Sequence, residues 1–416
     1  MTNHRRSAVL SPLSVESCPA NVFVKNLLAR CLKGESDPSI VIISSADEVS
    51  SVLKSMAPFL PSELALAQLS AAERSMPDVS FRYAVVYKDG RPLLFSTFQV
   101  YTLTARNFNL HRERTFAKHI LGLFLDLRRI KVVVSGNALR TDMPCFCYDH
   151  NELPAGQALE LLASIADTIA DRDEASAVIL TGTGNAGAAT QRKLASLGYQ
   201  MPWEDLAMEM DIPSSWECMS QYIAALSRKY RARAQKIIAA GSTLRQAPIG
   251  EDDLDRLQPY IDRLFAEVIE NQPFVFTTSG SRYIAELKRL YKDNFEIIGF
   301  FEGDVLVAFY SAFVTATGYE LFYVGYSQAS NAQYQLYFNI LFSGLGRAIA
   351  MRKQQLLLGR TSFDAKASLG AKAVRKDYLI RLFRVPEAAT KWFVSYFSSM
   401  ENGKWAQRNP LKEDAD

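Results

Sequence analysis

The tetrad Ala-Ser-Leu-Gly occurs twice in the chain, at residues 195–198 and 367–370. Before each tetrad, an apolar strand-like run ends at a glycine (Gly182 and Gly359), and a helix-compatible segment follows it. A glycine directly after a helix is typical of a C-terminal cap. Each tetrad therefore predicts the end of a short helix in a unit of strand, turn, helix and strand. Two such units predict two copies of one fold.

Each half of the chain also has a predicted β-hairpin. In the first, an Asp-Gly turn separates the β-rich runs 81–87 and 91–103, and in the second, Glu-Gly-Asp separates 295–301 and 305–315. A third strand is predicted at 320–326. Aligned turn on turn, the hairpins match at these pairs: Tyr87 with Phe301, Phe95 with Phe309, and Val100 with Val314. The match supports an internal duplication.

The order of elements in each half is helices, hairpin, helix, strand, helix, strand. This order predicts an α/β (α+β) protein with a mixed sheet and flanking helices in each half. A break at Pro213 to Ser215 precedes a helix predicted over 216–240. We therefore predict a flexible N-terminus (1–20), a first domain (21–213), a second domain (214–400) and a flexible tail (401–416).

Composition limits the classes of partner. A net charge of +3 over 416 residues is too small to indicate DNA binding. The five cysteines are too few and too unevenly spaced for a disulfide framework, which suits a reducing compartment. No apolar run reaches the roughly 18 residues of a membrane span, and no secretory signal is recognisable. We expect a cytoplasmic protein without integral membrane association.

The second half contains no histidine, because the last one is His150, and its sole cysteine is Cys218. A Ser-His-Asp or Cys-His hydrolase built within that half is therefore excluded, as is a histidine-ligated metal site. Acyl transfer by direct attack needs neither. An amine attacks a carbonyl held beside backbone N–H groups, a base or a water relay takes the proton, and a tyrosine protonates the leaving group. This mechanism requires no covalent enzyme intermediate and no metal.

Two stretches in the second half resemble those of a known family. Leu226-Ser227-Arg228-Lys229-Tyr230-Arg231 is similar to a "Leu-Ser-x-Lys-x-Arg" helix, and Gly359-Arg360 with Lys366 and Leu369-Gly370 is similar to a closing stretch. Both occur in the Fem-type (FemAB-like) aminoacyl and acyltransferases, which are tandem members of the GNAT N-acyltransferase superfamily. The resemblance implies two tandem GNAT-like domains. It also implies transfer of an acyl or aminoacyl group to a small-molecule amine, from acyl-CoA or from the acceptor end of an aminoacyl-tRNA.

The sequence departs from ordinary GNAT acetyltransferases in one place. Those proteins hold the coenzyme A pyrophosphate on an Arg-x-x-Gly-x-Gly/Ala loop, whereas the equivalent Ser327 to Gln333 has neither glycine nor arginine. An alternative function is therefore a catalytically silent GNAT-fold module that recognises a cell-envelope precursor or a protein partner. The first half lacks the basic helix and the closing lysine, so we expect it to be structural or to bind the acceptor.

The candidate catalytic residues are Tyr323, Arg360 and Lys366. Arg360 and Lys366 follow a buried strand, where ligand sites of α/β folds open. The competing interpretation is a structural salt bridge, for instance of Lys366 with Asp364 or Glu302. We predict that the acid is a tyrosine beside the central helix, and we assign this role to Tyr323 among the candidates Tyr323, Tyr326, Tyr334 and Tyr337.

The residues expected to bind the donor are Lys229, Arg231, Arg233, Gly359 and Tyr334. Lys229 and Arg233 share one helix face with Lys236, which either grips phosphate or is simply solvated. Two further patterns are weaker. Gly182 to Gly187 has the spacing of a dinucleotide fingerprint but is interpreted as a turn, because the surrounding βαβ unit is missing. Cys145, Cys147 and His150 have no partner pair that would complete a zinc site.

Overall fold

The computed structural model describes residues 39–108, 122–123, 125–140, 143–182, 187–202, 204–383, 385, 390–391, 394–395 and 405–412. These residues form two seven-stranded mixed sheets flanked by helices, which confirms the predicted fold class. The segment 1–20 lies outside the described residues. Within them, none of the helices combines the length and apolar character needed to cross a membrane.

The first sheet has the order β1-β2-β3-β4-β6-β14, and β5 also pairs with β3. Its first six strands are β1 (Ser39–Ile43), β2 (Ser80–Lys88), β3 (Arg91–Leu103), β4 (Ile130–Ser135), β5 (Phe146–Tyr148) and β6 (Ala177–Thr181). The last, β14, is Tyr378–Leu382. The accompanying helices are α1 (Ser50–Ser55), α2 (Leu66–Ser75), α3 (Ala155–Arg172) and α4 (Ala188–Ser196).

The second sheet has the order β13-β7-β12-β11-β10-β9-β8. Its strands are β7 (Asp205–Asp211), β8 (Arg245–Pro248), β9 (Phe295–Glu302), β10 (Val305–Val314), β11 (Gly318–Tyr326), β12 (Gln355–Gly359) and β13 (Lys372–Lys376). The helices are α5 (Met219–Ala225), α6 (Arg228–Gly241), α7 (Glu251–Ile269), α8 (Gly280–Tyr291), α9 (Gln328–Tyr334), α10 (Leu336–Ala350) and α11 (Phe363–Ala367).

The two sheets exchange strands. β7, from the end of the first half, lies between β12 and β13, whereas β14, from the second half, pairs antiparallel with β6. For the second unit, the strand-like run from Tyr378 to Phe383 predicts the closing strand. That prediction was wrong, because β13 follows Gly370 directly and β14 belongs to the other sheet. Residue alternation identifies a strand but does not specify its partner. The domain boundary at residue 213 stays a prediction.

The predicted continuous helix over 216–240 was also wrong. Leu226 and Ser227 are extended and separate α5 from α6. A segment near the C-terminus occupies the break, where the Ser227 amide donates to the Pro410 carbonyl at 2.9 Å and Leu226 forms a β-bridge with Leu411. Local propensity favours helix here, and a pairing distant in sequence overrides it.

Two hydrophobic cores lie on opposite faces of the second sheet. The face covered by α7 and α8 shares its core with the first half, so that Tyr83 and Phe95 belong to the same cluster as Phe295 and Phe309. The face covered by α10 has a separate core. The halves are therefore joined through the α7–α8 face, and the core on the α10 face is built from the second half together with Met208, Met210 and Ile212 at the end of the first.

Candidate functional site

A gap opens between two neighbouring strands of the second sheet. β11 and β12 are parallel and pair over three rungs, the last of which joins Glu320 to Leu357. β11 continues to Tyr326 and β12 to Gly359 beyond that rung. Strands that stop pairing turn backbone N–H and C=O groups toward a space that a ligand can fill. We call this space the strand gap; it is bounded by residues 321–326, residues 358–359 and the first turn of α10.

A bulge in β11 explains why the strands part. The register of β10 and β11 shifts at Ser311, so that this residue faces both Phe322 and Tyr323. The Ser311 hydroxyl accepts the Tyr323 amide at 3.1 Å and donates to the Tyr323 carbonyl at 3.2 Å. A bulge bends its strand and increases the local twist. It therefore turns the end of β11 away from β12.

The first half is interrupted at the equivalent place. Thr97 corresponds to Ser311 in the hairpin alignment, and its carbonyl and amide bond Gly136 at 2.7 Å and Cys145 at 2.9 Å. β4 and β5 both run antiparallel to β3 on either side of Thr97. The pairing of β4 ends at Gly136 and that of β5 resumes at Cys145. We call the residues between them the insertion loop; of these, 137–140 and 143–144 are described. An interruption in the same position in both halves supports the duplication.

In the first half, however, the equivalent gap is closed. The Thr181 amide donates to the Ser135 hydroxyl at 2.9 Å, and the Thr181 hydroxyl donates to the Ser135 carbonyl at 3.0 Å. These bonds hold the ends of β6 and β4 together, and the buried thiol of Cys145 also donates to the Thr181 carbonyl at 3.5 Å. The open strand gap is therefore a feature of the second half.

The turn after β12 forms one rim of the strand gap and has an unusual backbone. Gly359, Thr361 and Ser362 have φ of +68°, +68° and +51°. Thr and Ser rarely adopt such angles, and strained backbone of this kind is concentrated at functional sites. The Nζ of Lys366 donates to the carbonyls of Gly359 at 3.2 Å and Arg360 at 2.6 Å. These two hydrogen bonds from the buried amine of Lys366 hold the turn in place.

Lys366 is buried, with an exposed fraction of 3%. Burial, and then the nearby charge of Arg360, lower the pKa of its amine from 10.5 to about 7. Its counterpart in the first half is Leu194. The carbonyl of each residue accepts the amide of the residue after the tetrad glycine, at 3.3 Å for Lys366 and 3.1 Å for Leu194. A buried lysine thus occupies the place of a buried leucine.

The predicted salt bridge of Lys366 with Asp364 or Glu302 was wrong for both residues. Asp364 pairs with Arg408 at 2.8 Å, and Glu302 accepts a hydrogen bond from the hydroxyl of Tyr334. Lys366 donates instead to the backbone carbonyls of Gly359 and Arg360. An ion pair is present at Arg360, whose guanidinium donates to both carboxylate oxygens of Asp205, at 2.6 and 2.5 Å. This pair ties the turn to β7.

The structure brings Arg360 and Lys366 together but places Tyr323 on the other face of β11. The ring of Tyr323 packs edge-on against Phe265 of α7, with 5.3 Å between centroids. Burial raises the pKa of Tyr323 well above its ordinary value, so that its hydroxyl stays protonated at neutral pH.

Tyr337, another of the four candidate tyrosines, lies on the side of the strand gap. It belongs to the first turn of α10 and bonds Ser362 of the strained turn. Burial raises its pKa to about 12. The one sequence signal for Tyr337 as a site residue is its position near the start of the central helix. The bond to Ser362 could not be predicted, because the two residues are distant in sequence.

The basic helix is α6, and its predicted phosphate-binding residues separate into two groups. Lys229, Arg233 and Lys236 are exposed. The Arg233 guanidinium lies 5.0 Å from the ring centre of Phe338 in α10, so this face adjoins the first turn of that helix. Arg231 differs, because it donates to carbonyls at the end of α5 at 2.9 and 2.8 Å. Arg231 is thus used in joining α5 to α6.

The place of the expected pyrophosphate loop is taken by a helix, α9. The Ser327 hydroxyl caps it by accepting the Ser330 amide at 3.3 Å. The side chain of Asn331 accepts the Tyr337 amide at 3.2 Å. One of the first amides of α10 is therefore bonded within the protein.

Of the two weaker sequence patterns, the structure describes all of Cys145 to His150 but only part of Gly182 to Gly187. Cys145 and Cys147 are buried in cores on opposite faces of the first sheet, and no group of three or more His, Cys, Asp or Glu among the described residues could hold a metal ion. Gly182 has φ of +68°, as a turn glycine requires. Residues 183–186 of the glycine pattern lie outside the described residues.

Comparisons with known proteins give likenesses of fold. No protein-family model matches the chain, and no curated protein matches it in sequence. Among solved structures, FemX has a TM-score of 0.47 at 10% identity, covering 83% of this chain and 97% of its own. A tandem GNAT protein from the clavulanic acid biosynthesis pathway has a TM-score of 0.48 at 11% identity, covering 83% and 98%. A GCN5-related N-acetyltransferase from Kribbella flavida has 0.44 at 12% identity, covering 83% and 71%. At these values the likeness carries no conclusion about activity.

Proposed function

We propose that the protein is a FemAB-like N-acyltransferase whose second half transfers an acyl or aminoacyl group to an amine. One observation carries the proposal: an open strand gap is bordered by a strained turn that the buried Lys366 holds in place. In the first half, Ser135 and Thr181 close the equivalent gap, and Leu194 occupies the position of the lysine. A buried lysine costs stability, so its presence beside the gap favours a role in binding or chemistry.

The proposed reaction is direct. The donor carbonyl lies in the strand gap beside backbone N–H groups of β11, which stabilise the negative charge that develops on its oxygen. The amine nitrogen forms a bond to the carbonyl carbon, the bond to the leaving sulfur or oxygen breaks, and the amine loses a proton to a base or a water relay. The leaving group then takes a proton from a tyrosine. Tyr337 is the candidate acid, because it bonds Ser362 on the gap side, whereas the predicted Tyr323 packs against Phe265 on the other face of β11.

Lys366 and Arg360 have distinct proposed roles. Lys366 keeps the strained turn in place through Gly359, and a pKa of about 7 lets its amine exchange a proton near neutral pH. Arg360 is already bound by Asp205, so we assign it to positioning the turn against β7. Direct binding of the donor by Arg360 would instead require its guanidinium to break the ion pair with Asp205 in a half-buried environment.

The exposed face of α6 is the proposed contact for donor phosphates. Arg233 lies beside the first turn of α10, and Lys229 is exposed one helical turn before it on α6. Acyl-CoA fits this arrangement if its phosphates lie along α6. Because α9 fills the place of the pyrophosphate loop, aminoacyl-tRNA is the alternative donor, and it would present its acceptor-end phosphates to the same face. The replacement of the pyrophosphate loop by α9 also favours the second candidate function, a catalytically silent binding module.

A thermal-shift titration tests the proposal. We expect acyl-CoA, or failing that aminoacyl-tRNA, to raise the melting temperature of the wild-type chain at micromolar concentration. Lys366→Leu, which introduces the residue of the first half, should abolish the shift. Lys353→Met is the matched control, because Lys353 also donates to two backbone carbonyls but lies at the opposite end of β12.

The outcomes separate the candidates. A donor shift together with donor- and amine-dependent product supports the enzyme. A donor shift without product from any amine supports the silent module. No shift with either donor class, or an equal loss of shift in Lys353→Met and Lys366→Leu, would remove the basis for the assignment.

A further inference from the structure

A contact from the first half reaches the strand gap of the second. Arg140 belongs to the insertion loop, and its guanidinium pairs with Glu320 of β11 at 3.2 Å. The same guanidinium lies 3.7 Å from the ring centre of Phe313 in β10. The Arg140 side chain is 12% exposed, so water weakens the two contacts little.

The position of this contact in the sheet is specific. Phe313 and Glu320 face each other across β10 and β11, and Glu320 faces Leu357 of β12. This is the last rung on which β11 and β12 are paired. Arg140 therefore lies on the vertex at which the two strands begin to separate.

Residues 137 and 138, just before Arg140 in the loop, are held by hydrogen bonds. Asn137 donates to the hydroxyl of Tyr283 in α8 at 3.1 Å, and the Ala138 amide donates to the buried side chain of Gln99 in β3 at 2.9 Å. One bond goes to each half. The loop thus holds a charged side chain at a defined place on the sheet of the other half, as a preorganised support requires.

We propose that Arg140 is a positioning residue that fixes the vertex of the strand gap, so that the first half sets the shape of the donor site in the second. Glu320 pairs with Arg140 at the rung where the ladder ends, and Phe313 supports the same guanidinium from β10. Without Arg140, this rung loses its cross-half support, the β11–β12 ladder frays further toward its start, and the walls of the gap lose their spacing. The consequence for donor affinity rests on the proposed function, whereas the effect on the ladder does not.

The test uses the full chain and two arginine variants. Arg140→Met removes the contact at the vertex. Arg74→Met is the matched control, because Arg74 of α2 pairs with Glu286 of α8 at 3.0 Å, also between the halves but away from the gap. Amide hydrogen exchange in segments 318–326 and 355–359 is measured without ligand, and donor affinity is measured in parallel. We expect faster exchange in both segments and about a tenfold loss of donor affinity in Arg140→Met alone.

A charge swap distinguishes loss of the Arg140–Glu320 contact from misfolding of the variant. Arg140→Glu alone should behave as Arg140→Met or worse, and adding Glu320→Arg should return exchange and affinity toward the wild type. Unchanged exchange in Arg140→Met, equal changes in Arg74→Met, or no recovery in the swap would overturn the inference. A wild-type chain that binds no donor would defeat the proposed function, and the exchange data would still decide the role of Arg140.

Discussion

Lys366 lies where Leu194 lies in the first half, and the backbone closes around both in the same way. Both side chains are buried, at 3% and 1% exposure. Stability alone favours leucine at such a place, because a buried amine must lose its hydration or its proton. The difference between the two residues can therefore be measured as a pH dependence of stability.

The first prediction concerns that pH dependence. In the unfolded chain Lys366 keeps its proton up to about pH 10.5, whereas the folded pKa is about 7. Between these values the unfolded state binds more protons, so the contribution of Lys366 to the free energy of unfolding rises with pH, by roughly 5 kcal/mol at most. Lys366→Leu should lack this rise. Urea denaturation of both proteins at pH 7 and pH 9.5 measures it, and parallel changes in the two would contradict the prediction.

A second prediction concerns Asp167 of α3, whose pKa shift makes its contribution to stability fall as the pH rises. It accepts the Tyr199 hydroxyl at 2.7 Å and pairs with Arg381 of the exchanged strand β14, and Asp171 adds a like charge. Burial outweighs the two favourable partners and raises the pKa to about 6 from 3.8.

The folded state therefore holds a proton on Asp167 that the unfolded state has lost between those pH values. Its contribution to stability is complete below about pH 4 and is lost as the pH rises through 6, by roughly 3 kcal/mol at most. Asp167→Asn should remove this loss. Denaturation of wild type and variant at pH 4 and pH 7 gives the comparison. The prediction fails if the wild type gains stability relative to the variant over that range.

The sequence was sufficient for elements that local patterns determine. The Asp-Gly turn defines the hairpin of β2 and β3, and the Ala-Ser-Leu-Gly tetrads mark two helix ends whose glycines have φ of +89° and +106°. The partners of β7 and β14 were not predictable in the same way. Strand partners are chosen by contacts far apart in sequence, and these two strands read like any other half-buried run.

The site shows the same division. The position of Lys366 after a buried strand predicts a ligand-binding edge, which stays a prediction; the structure places its amine against the turn at residues 359–362. Its carbonyl partners, the pairing of Arg360 with Asp205 and the capping role of Arg231 were not foreseen. A charged residue in a sequence does not indicate which partner satisfies it, because such partners come from any part of the fold.

The third prediction uses two buried glutamines, Gln68 and Gln99, which line one cleft together with other residues of the first half and Tyr283 of α8. Among the described residues, the Oε1 of Gln68 has no hydrogen-bond partner, whereas that of Gln99 accepts from Tyr101 at 2.6 Å and Ala138 at 2.9 Å. Gln68→Leu should leave stability unchanged or raise it by about 1 kcal/mol, and Gln99→Leu should lower it by about 1–3 kcal/mol. Guanidinium denaturation ranks the two, and the reverse order would contradict the structure.

The last prediction concerns residues 405–412, which lie in the predicted flexible tail but make defined contacts beside the site. Trp405 stacks on Phe363 with 5.3 Å between ring centres, and Arg408 pairs with Asp364 at 2.8 Å. Both partners belong to α11, the helix that carries Lys366. Ending the chain after residue 404 exposes this helix and frees the break between α5 and α6.

We expect that truncation to lower the melting temperature by several degrees, since loss of a ring stack and a pairing strand costs on the order of 2 kcal/mol. It should also weaken donor binding, because the turn at residues 359–362 loses the support of α11. Ending the chain after residue 412 is the matched control and should leave both quantities unchanged. Differential scanning calorimetry and the donor titration give the two readings. If the shorter chain melts and binds as the longer one does, then these contacts do not support the site.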